Sequence, residues 1–198
     1  MSLFNNLDPY SLLKEFISPL CPLSDLSLQA LMPATEIHTL QRGDTLLAEG
    51  QIARYVSVVC EGLFRLYHHE GTKTHTLQFA SKGDIIMPGQ SLFTHDPSSR
   101  IIAAQIPSLC ISFKYDELLQ LSTQHPEIQQ LVIKLHQNAL LQQQAINEEQ
   151  RISSTKERYR YFCHNHPTAA MYANVSHIAS FLQMAPETLS RLRSTVLI

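Results

Sequence analysis

Hydrophobic and polar residues alternate in short runs along the first half of the chain, and the runs end at glycines. All six glycines lie between Gly43 and Gly89. The intervening segments RYVSVVCEG, LFRLYHH and HTLQFA are β-branched or alternate with period two, and RIIAAQI and LCISF continue the pattern to Phe113. About seven or eight short strands are therefore predicted, as in a small β-barrel or jelly roll. Ahead of them, residues 8–32 predict short helices broken by prolines.

The hydrophobic period changes to that of a helix after residue 125. Pro126 fits the first helical turn, and no glycine follows before Gln150. A helix of about 25 residues spans about 37 Å, more than a small barrel can cover. Apolar positions spaced four and three apart form a heptad seam with one polar member: Ile128, Val132, Leu135, Ala139, Gln142 and Ile146. We expect this seam to form a dimer interface with a second copy, Gln142 fixing the register; the alternative is packing on the chain's own barrel.

Residues 151–198 predict three short helices. TKERYRYFCHNH is basic and amphipathic and stops near Pro167, and NVSHIASFL follows with Ile178, Ala179 and Leu182 directed inward. Pro186 starts the third helix, PETLSRLR, whose Leu189 and Leu192 are expected on the buried face. The outer face is left with Glu187, Thr188, Ser190, Arg191 and Arg193.

The net charge of −2 hides an asymmetry between the two parts of the chain. Residues 1–150 hold 9 Lys+Arg and 15 Asp+Glu, a balance of −6, whereas residues 151–198 hold 6 and 2, a balance of +4. A basic end on an acidic body suggests that this end meets a polyanion. The residue types in ETLSRLR suit a DNA groove, because Arg donates two hydrogen bonds to guanine, Ser and Thr meet base or phosphate, and Glu accepts from cytosine.

The segment IASFLQMAPETLSRLR resembles the helix-turn-helix of the Crp/Fnr family of bacterial transcription regulators. Residues 42–86 resemble that family's cyclic-nucleotide-binding-type β-roll, through Gly43-Asp44, Gly50, Glu61-Gly62 and Gly83-Asp84, and KERYRYF resembles its linker. The resemblance runs from about residue 25 to 193. It implies an α+β fold: a jelly-roll (double-stranded β-helix) sensor domain with N-terminal helices over 1–120, a long dimerisation helix over 121–150, and a helix-turn-helix domain over 151–198.

This resemblance implies a homodimeric, sequence-specific transcription regulator that binds a two-fold related site on double-stranded DNA. Operator contacts would fall to Glu187, Thr188, Ser190 and Arg191, and a phosphate contact to Arg193; RNA polymerase is a further candidate partner. Three departures stand out. Gln183 replaces a glycine in the turn, Ala185 replaces a capping Ser or Thr, and STVLI is too short for the family's C-terminal wing. The terminal VLI is expected to tuck onto the domain.

The segment GDIIMPGQSLFTHDPSSRIIAAQI departs from the family's cyclic-nucleotide site. It has no Glu between Gly83 and Arg100, and Ser98 stands where the phosphate-binding arginine belongs. Arg100 is displaced by two residues, about 6.6 Å along a strand. We therefore expect no tight cyclic-nucleotide binding, because a phosphate would lack its cation. The effector stays unknown: the candidate pocket residues Gln90, Ser98, Ser99 and Arg100 serve another ligand, or side chains fill the barrel.

No metal and no cofactor are predicted. The cysteines at 21, 60, 110 and 163 are too far apart for a metal knuckle and are expected to be buried thiols in a reducing cytoplasm. His68 and His69 face opposite sides of a strand, and together with His75 and His95 they are interpreted as surface histidines. The pair Glu148-Glu149 and the histidines His164 and His166 are interpreted as solvated.

Other functional classes find little support in the sequence. There is no nucleophile–base arrangement and no P-loop, so an enzyme is not expected, and no stretch of 18 apolar residues or secretory signal indicates a membrane or an export route. The alternative hypotheses are a jelly-roll small-molecule-binding or cupin-like protein with a degenerate DNA-binding tail, and a protein-interaction module.

Overall fold

Within residues 8–195, which the computed structural model describes, eight strands form two antiparallel four-stranded sheets. This confirms the strand-rich first half. One sheet has the order β1-β8-β3-β6 and the other the order β2-β7-β4-β5, with β1 Thr35–Leu40, β2 Thr45–Leu47, β3 Tyr55–Glu61, β4 Leu63–Glu70, β5 Lys73–Ser81, β6 Ile85–Ile86, β7 Arg100–Ala104 and β8 Ser108–Lys114.

Helices precede, interrupt and follow these strands, so the fold is mixed α+β. Their bounds are α1 Pro9–Ile17, α2 Asp25–Leu31, α3 Gly89–Thr94, α4 Tyr115–Ser122, α5 Pro126–Gln150, α6 Thr155–Asn165, α7 Pro167–Tyr172, α8 Val175–Phe181 and α9 Pro186–Thr195, with a 3-10 turn over Met32–Ala34. The long helix begins at Pro126 and has 25 residues, as predicted. Helix α7 was missed, because Pro167 ends α6 and also takes the first position of a new helix.

The space between the two sheets is filled by apolar side chains and forms the β-roll core. Phe64 on β4 and Phe113 on β8 are fully buried there. Helices α1, α2 and α5 close the core with Leu13, Ile17, Leu28, Leu31, Ile128, Leu131 and Leu135. The long helix is therefore part of the β-roll and not a free connection.

Strand β4 is buried on both of its faces. Phe64 and Leu66 point into the β-roll core, while Leu63 joins a second core together with Phe79 of β5 and the C-terminal helices. Alternation alone predicts one wet face for such a strand. The outer face is dry because α8 and its neighbours cover it.

The predicted dimer seam on α5 faces the chain's own body. Ile128 and Leu135 lie in the β-roll core, Val132 and Ala139 pack against it, and Ile146 lies in the second core. Gln142 donates from Nε2 to Asp84 Oδ1 at 2.6 Å and accepts from the backbone N–H of Ile85 at 3.2 Å. The expectation that this seam is exposed to a partner was wrong, and packing on the chain's own barrel is what occurs. Periodicity locates an apolar face of a helix but not the body that covers it.

All four cysteines are free; Cys60 and Cys110 are buried, and burial raises the pKa of each thiol to about 12. Among the described residues, no helix combines the length and apolarity that crossing a bilayer requires. The terminal VLI, residues 196–198, lies outside the described part, so its expected packing and the missing wing stay predictions.

Gly62, which joins β3 to β4, provides a test of this packing. Its φ is +94°, and an added Cβ would lie 2.6 Å from Ser108 Cα. We expect Gly62→Ala to lower the free energy of unfolding in urea by about 2–5 kcal/mol, since left-handed strain and overlap with the backbone add. The matched control is Gly71→Ala, at φ +59° with open space around it, which should lose only about 1–2 kcal/mol. Equal losses for the two variants would contradict the close approach of β8.

Candidate nucleic-acid interface and sensor pocket

Helices α8 and α9 are joined by a tight turn over residues 182–185. Gln183 adopts φ 53°, so the left-handed conformation is kept although a side chain has replaced glycine. A residue other than glycine in this conformation lowers the folding stability by about 1–2 kcal/mol. The turn is closed by the N–H of Met184, which donates to the Ala179 carbonyl at 2.9 Å. Ala185 precedes Pro186 and offers no side-chain acceptor for the free amides of α9.

Buried leucines and their neighbours fix the direction in which α9 faces. Ile178, Ala179 and Leu182 are fully buried, as predicted, and so is Leu189 on α9. The opposite side of α9 is exposed and carries Glu187, Thr188, Ser190 and Arg191. These four side chains lie together on one surface of one helix.

Arg193 differs from the other four predicted site residues. It is half-buried and donates from its guanidinium to the carbonyl oxygen of Ala170, at the end of α7, at 3.0 Å. Arg158 is used in a similar way and donates to the carbonyl oxygen of Leu182 at 2.8 Å. The predicted phosphate contact of Arg193 is therefore corrected: in this arrangement the side chain stabilises a helix end.

The predicted effector residues do not converge on one pocket. Gln90 and Ser99 are exposed, and Arg100 is half-buried at the start of β7. The buried Ser98 hydroxyl donates to the Arg100 carbonyl oxygen and accepts from its backbone N–H, both at 3.0 Å. The hydroxyl is therefore used within its own turn.

Side chains pack in the interior of the β-roll. A cavity that the described residues form there, lined by Leu47, Tyr55, Ser57, Ile86 and Ile102 among others, has a volume of about 20 Å³. That volume holds about one water molecule. This small volume favours the alternative in which side chains fill the barrel, and that alternative stays a prediction.

Helix α8 docks against the edge strand β5 of the β-roll. The Ser180 hydroxyl accepts from the backbone N–H of Thr76 at 2.9 Å and donates to the Thr74 carbonyl oxygen at 3.1 Å. His177 Nδ1 lies 3.0 Å from Gln105 Oε1. Sequence reasoning missed these contacts because short polar residues on a helix also fit a solvated face. These hydrogen bonds thus hold helix α8, and with it the C-terminal helices, to the β-roll.

A buried cation lies behind this contact. Arg65 donates to the hydroxyls of Thr76 and Thr74 at 2.8 and 2.7 Å, and its guanidinium lies 4.2 Å from the Tyr67 ring centroid. Burial lowers the pKa of Arg65 to about 10. Burial, then the positive charges of Arg65 and Arg42, lower the pKa of His177 to about 4. The docked surface therefore favours neutral His177.

Two side chains interpreted as solvated are in fact enclosed. Glu149 is 1% exposed, and its Oε2 accepts from Nε2 of the half-buried His166 at 3.1 Å. The His166 ring packs against Phe162 and Phe181. The interpretation fails because the end of α5 is covered by α6, which periodicity within α5 does not reveal. Glu148 and His164 are exposed, as expected.

His68, His69 and His75 lie on the β4–β5 hairpin, where His69 is exposed and the other two are half-buried. His75 Nε2 lies 2.8 Å from Glu70 Oε2, and its ring stacks on that of His68. Over residues 8–195, no group of three or more His, Cys, Asp or Glu side chains is arranged to hold a metal ion.

Comparison with known proteins supports the β-roll and the overall fold. Residues 37–125 match the family model of the cyclic nucleotide-binding domain. No curated protein sequence matches the chain significantly.

Solved structures of regulators share the fold at low sequence identity. FixK2 from Bradyrhizobium japonicum is 16% identical, covers 81% of this chain and 83% of its own, and superposes with a TM-score of 0.67. The c-di-GMP-responsive global regulator CLP of Xanthomonas campestris is 12% identical over 87% of this chain and 91% of its own, at 0.65. The sensor domain of the transcriptional regulator DNR from Pseudomonas aeruginosa is 19% identical over 65% and 91%, at 0.51. At such identities the likeness shows a shared fold.

The docking of α8 predicts a pH dependence. Because the folded pKa of His177, about 4, is below the ordinary 6.5, the unfolded chain binds more protons between these values. Stability should therefore fall as the pH drops from 6.5 towards 4. We expect His177→Gln to reduce the stability lost between pH 7 and pH 4.5 by about 2 kcal/mol in urea titrations. His164→Gln, at an exposed site in the same region, should leave the loss unchanged. Identical pH profiles for the two variants would contradict the buried, neutral state of His177.

Proposed function

We propose that the protein is a homodimeric, sequence-specific DNA-binding transcription regulator of the Crp/Fnr type that does not respond to cyclic AMP. The observation that carries the proposal is the exposed polar surface of α9, held by Leu189 and joined to α8 by a four-residue turn. This arrangement supports a helix-turn-helix, in which the second helix would enter the major groove. The regulators CLP and DNR, which share the fold, support the same class of function.

The roles on α9 follow from side-chain chemistry and position. Glu187 and Thr188 lie in the first turn, where a recognition helix meets base edges, and Arg191 lies one turn further on. Arg191 suits guanine O6 and N7, and Ser190 suits phosphate. Arg193 is left out of this set because it donates to Ala170. RNA polymerase remains a proposed partner, and a non-enzymatic role in the cytoplasm is part of the proposal.

Dimerisation is assigned to the exposed side of α5. Leu140 and Leu141 are each 60% exposed and Ile133 is 40% exposed, all on the side away from the β-roll. Ile133, Gln137, Leu140 and Gln144 are spaced four, three and four, which repeats the heptad rule on the second face of the helix. A second copy of the same face is its natural occupant, since glutamines pair with glutamines across a two-fold axis and leucines are covered.

Such a dimer also has a functional consequence. Two parallel α5 helices place two copies of α9 on the same end of the assembly. Recognition helices that enter successive major grooves must lie about 34–36 Å apart. The proposed DNA site is therefore two-fold related, with one half-site for each copy.

A charge on the exposed side of α5 should separate the two copies. We expect Leu140→Glu to convert the dimer to a monomer in analytical ultracentrifugation, because two carboxylates would face each other in an apolar contact. The matched control is Leu26→Glu on α2, a leucine that is 70% exposed at a distant site and should leave the dimer intact. A dimer that survives Leu140→Glu would remove this face from the proposal.

Arg191→Ala tests the DNA-binding role. Gel shifts against genomic fragments would first identify a bound site; the variant should then lose about 1–3 kcal/mol of discrimination between that site and a scrambled one. Arg160→Ala, at an exposed arginine on α6, should at most weaken both sites alike. Cyclic AMP should leave both affinities unchanged, since the β-roll cavity of about 20 Å³ has no room for it. Unaltered discrimination in Arg191→Ala would contradict the assignment.

The same experiments address the alternative functions. A jelly-roll small-molecule-binding or cupin-like protein with a degenerate tail would bind no promoter fragment, as would a protein-interaction module. Tight cyclic-AMP binding by calorimetry would contradict the proposed effector independence. The small cavity inside the β-roll gives the cupin-like alternative little room for a ligand there.

A further inference from the structure

A partly enclosed cavity lies where the β-roll, the long helix and the C-terminal helices meet. Its volume is about 190 Å³, and it is distinct from the small cavity inside the β-roll. Strand β5 contributes Phe79, helix α5 contributes Ala145, Ile146 and Glu149, and helix α6 contributes Tyr161. A cavity of about 150 Å³ is enough to hold a benzene molecule, so this one suits a ligand slightly larger than that.

Glu149 supplies the feature that points to a ligand. Its side chain is 1% exposed, and only Oε2 has a partner, Nε2 of His166. Oε1 is buried and has no hydrogen-bond partner within the described residues. A buried carboxylate oxygen without a donor carries a large desolvation cost. Glu149 also lines the cavity, so a donor that reaches this oxygen from there would remove that cost.

The charges around the cavity select the kind of donor. Its lining contains the carboxylates of Glu149 and Asp84 and the imidazole of His166, which is paired with Glu149 Oε2, and no Lys or Arg occurs among the described residues that line it. Asp84 is already engaged, because its oxygens accept from Gln142 and from the Ser81 backbone N–H. An anion would meet two carboxylates here, whereas a cation would meet one unpaired oxygen and aromatic rings.

We propose that this cavity binds a small organic cation, a primary amine or amidine, whose charged group pairs with Glu149 Oε1. The hydrocarbon part of the ligand lies against Phe79, Ile146 and Tyr161, which form the apolar and aromatic part of the wall. The pairing is a charge-assisted hydrogen bond to a buried carboxylate oxygen, and such bonds are stronger than neutral ones.

The position of the cavity gives its occupant a regulatory role, which rests on the proposed DNA-binding function. The wall combines β5, α5 and α6, so a bound cation ties the helices that carry α9 to the sensor half. Binding favours whichever arrangement of the two halves keeps this wall together. The binding step itself does not depend on DNA.

Calorimetry with benzylamine as the probe tests the binding step on the full-length chain without DNA. Benzyl alcohol and benzoate are the neutral and anionic controls of nearly the same shape. We expect benzylamine to bind, benzyl alcohol to bind about tenfold more weakly or worse, and benzoate not to bind. Absence of benzylamine binding, or equal affinity for all three compounds, would overturn the proposal.

Matched variants locate the site. Glu149→Gln keeps the shape and removes the charge, and it should weaken benzylamine binding about tenfold or more. Glu148→Gln makes the same change one residue away at an exposed position and should have no effect. Equal affinity of these two variants would overturn the assignment. If Glu149→Gln fails to fold by circular dichroism, Ala145→Leu decides the question: it narrows the cavity without changing charge and should also abolish binding, and retained binding would overturn the site.

A DNA experiment separates this proposal from the proposed function. If the protein binds benzylamine and ignores every promoter fragment, the cation site stands and the regulator role fails. If the protein binds DNA and benzylamine fails to bind, the reverse holds. If both bind, benzylamine should shift the affinity for the identified DNA site in the wild-type protein and not in Glu149→Gln.

Discussion

The packing of the C-terminal helices on the outer face of β4 and β5 is the contact on which the rest of the structure depends. A segment of this size buries too little apolar surface to fold firmly alone. Phe79 supplies additional apolar surface. Its ring centroid lies 6.0 Å from that of Phe162 and 5.6 Å from that of Phe181. The orientation of α9 is therefore set by strand β5 of the β-roll as well as by the neighbouring C-terminal helices.

Helix α5 contributes side chains to both cores. Its inner side closes the β-roll core through Leu135 and reaches the second core through Ile146, while Gln142 fixes its register against Asp84. Its outer side carries the exposed Leu140, which belongs to the proposed dimer contact. Because one rigid helix touches both cores, a change at one end of the β-roll can alter the setting of the C-terminal helices without any flexible connection.

The sequence predicted local structure well and tertiary contacts poorly. The strands, the start of α5 at Pro126 and the burial of Ile178 and Leu189 follow from periodicity, which depends only on neighbours along the chain. Which side of α5 meets the barrel could not be deduced, because both sides carry apolar residues at heptad spacing. The burial of Glu149 could not be predicted either. It results from the position of α6, which no pattern within α5 encodes. Arg193 was misplaced because a polar face looks the same whether it meets solvent or the carbonyl oxygen of Ala170.

The small cavity inside the β-roll leaves little room there for a ligand. The Ser98 hydroxyl donates to the Arg100 carbonyl oxygen within its own turn, and the described cavity inside the β-roll has a volume of only about 20 Å³. A larger cavity lies at the junction between the β-roll and the C-terminal helices, where a buried carboxylate oxygen has no donor among the described residues. A ligand inside the β-roll would act on the C-terminal helices only through α5. A ligand at the junction touches β5, α5 and α6 at once, so its binding free energy acts directly on their relative packing.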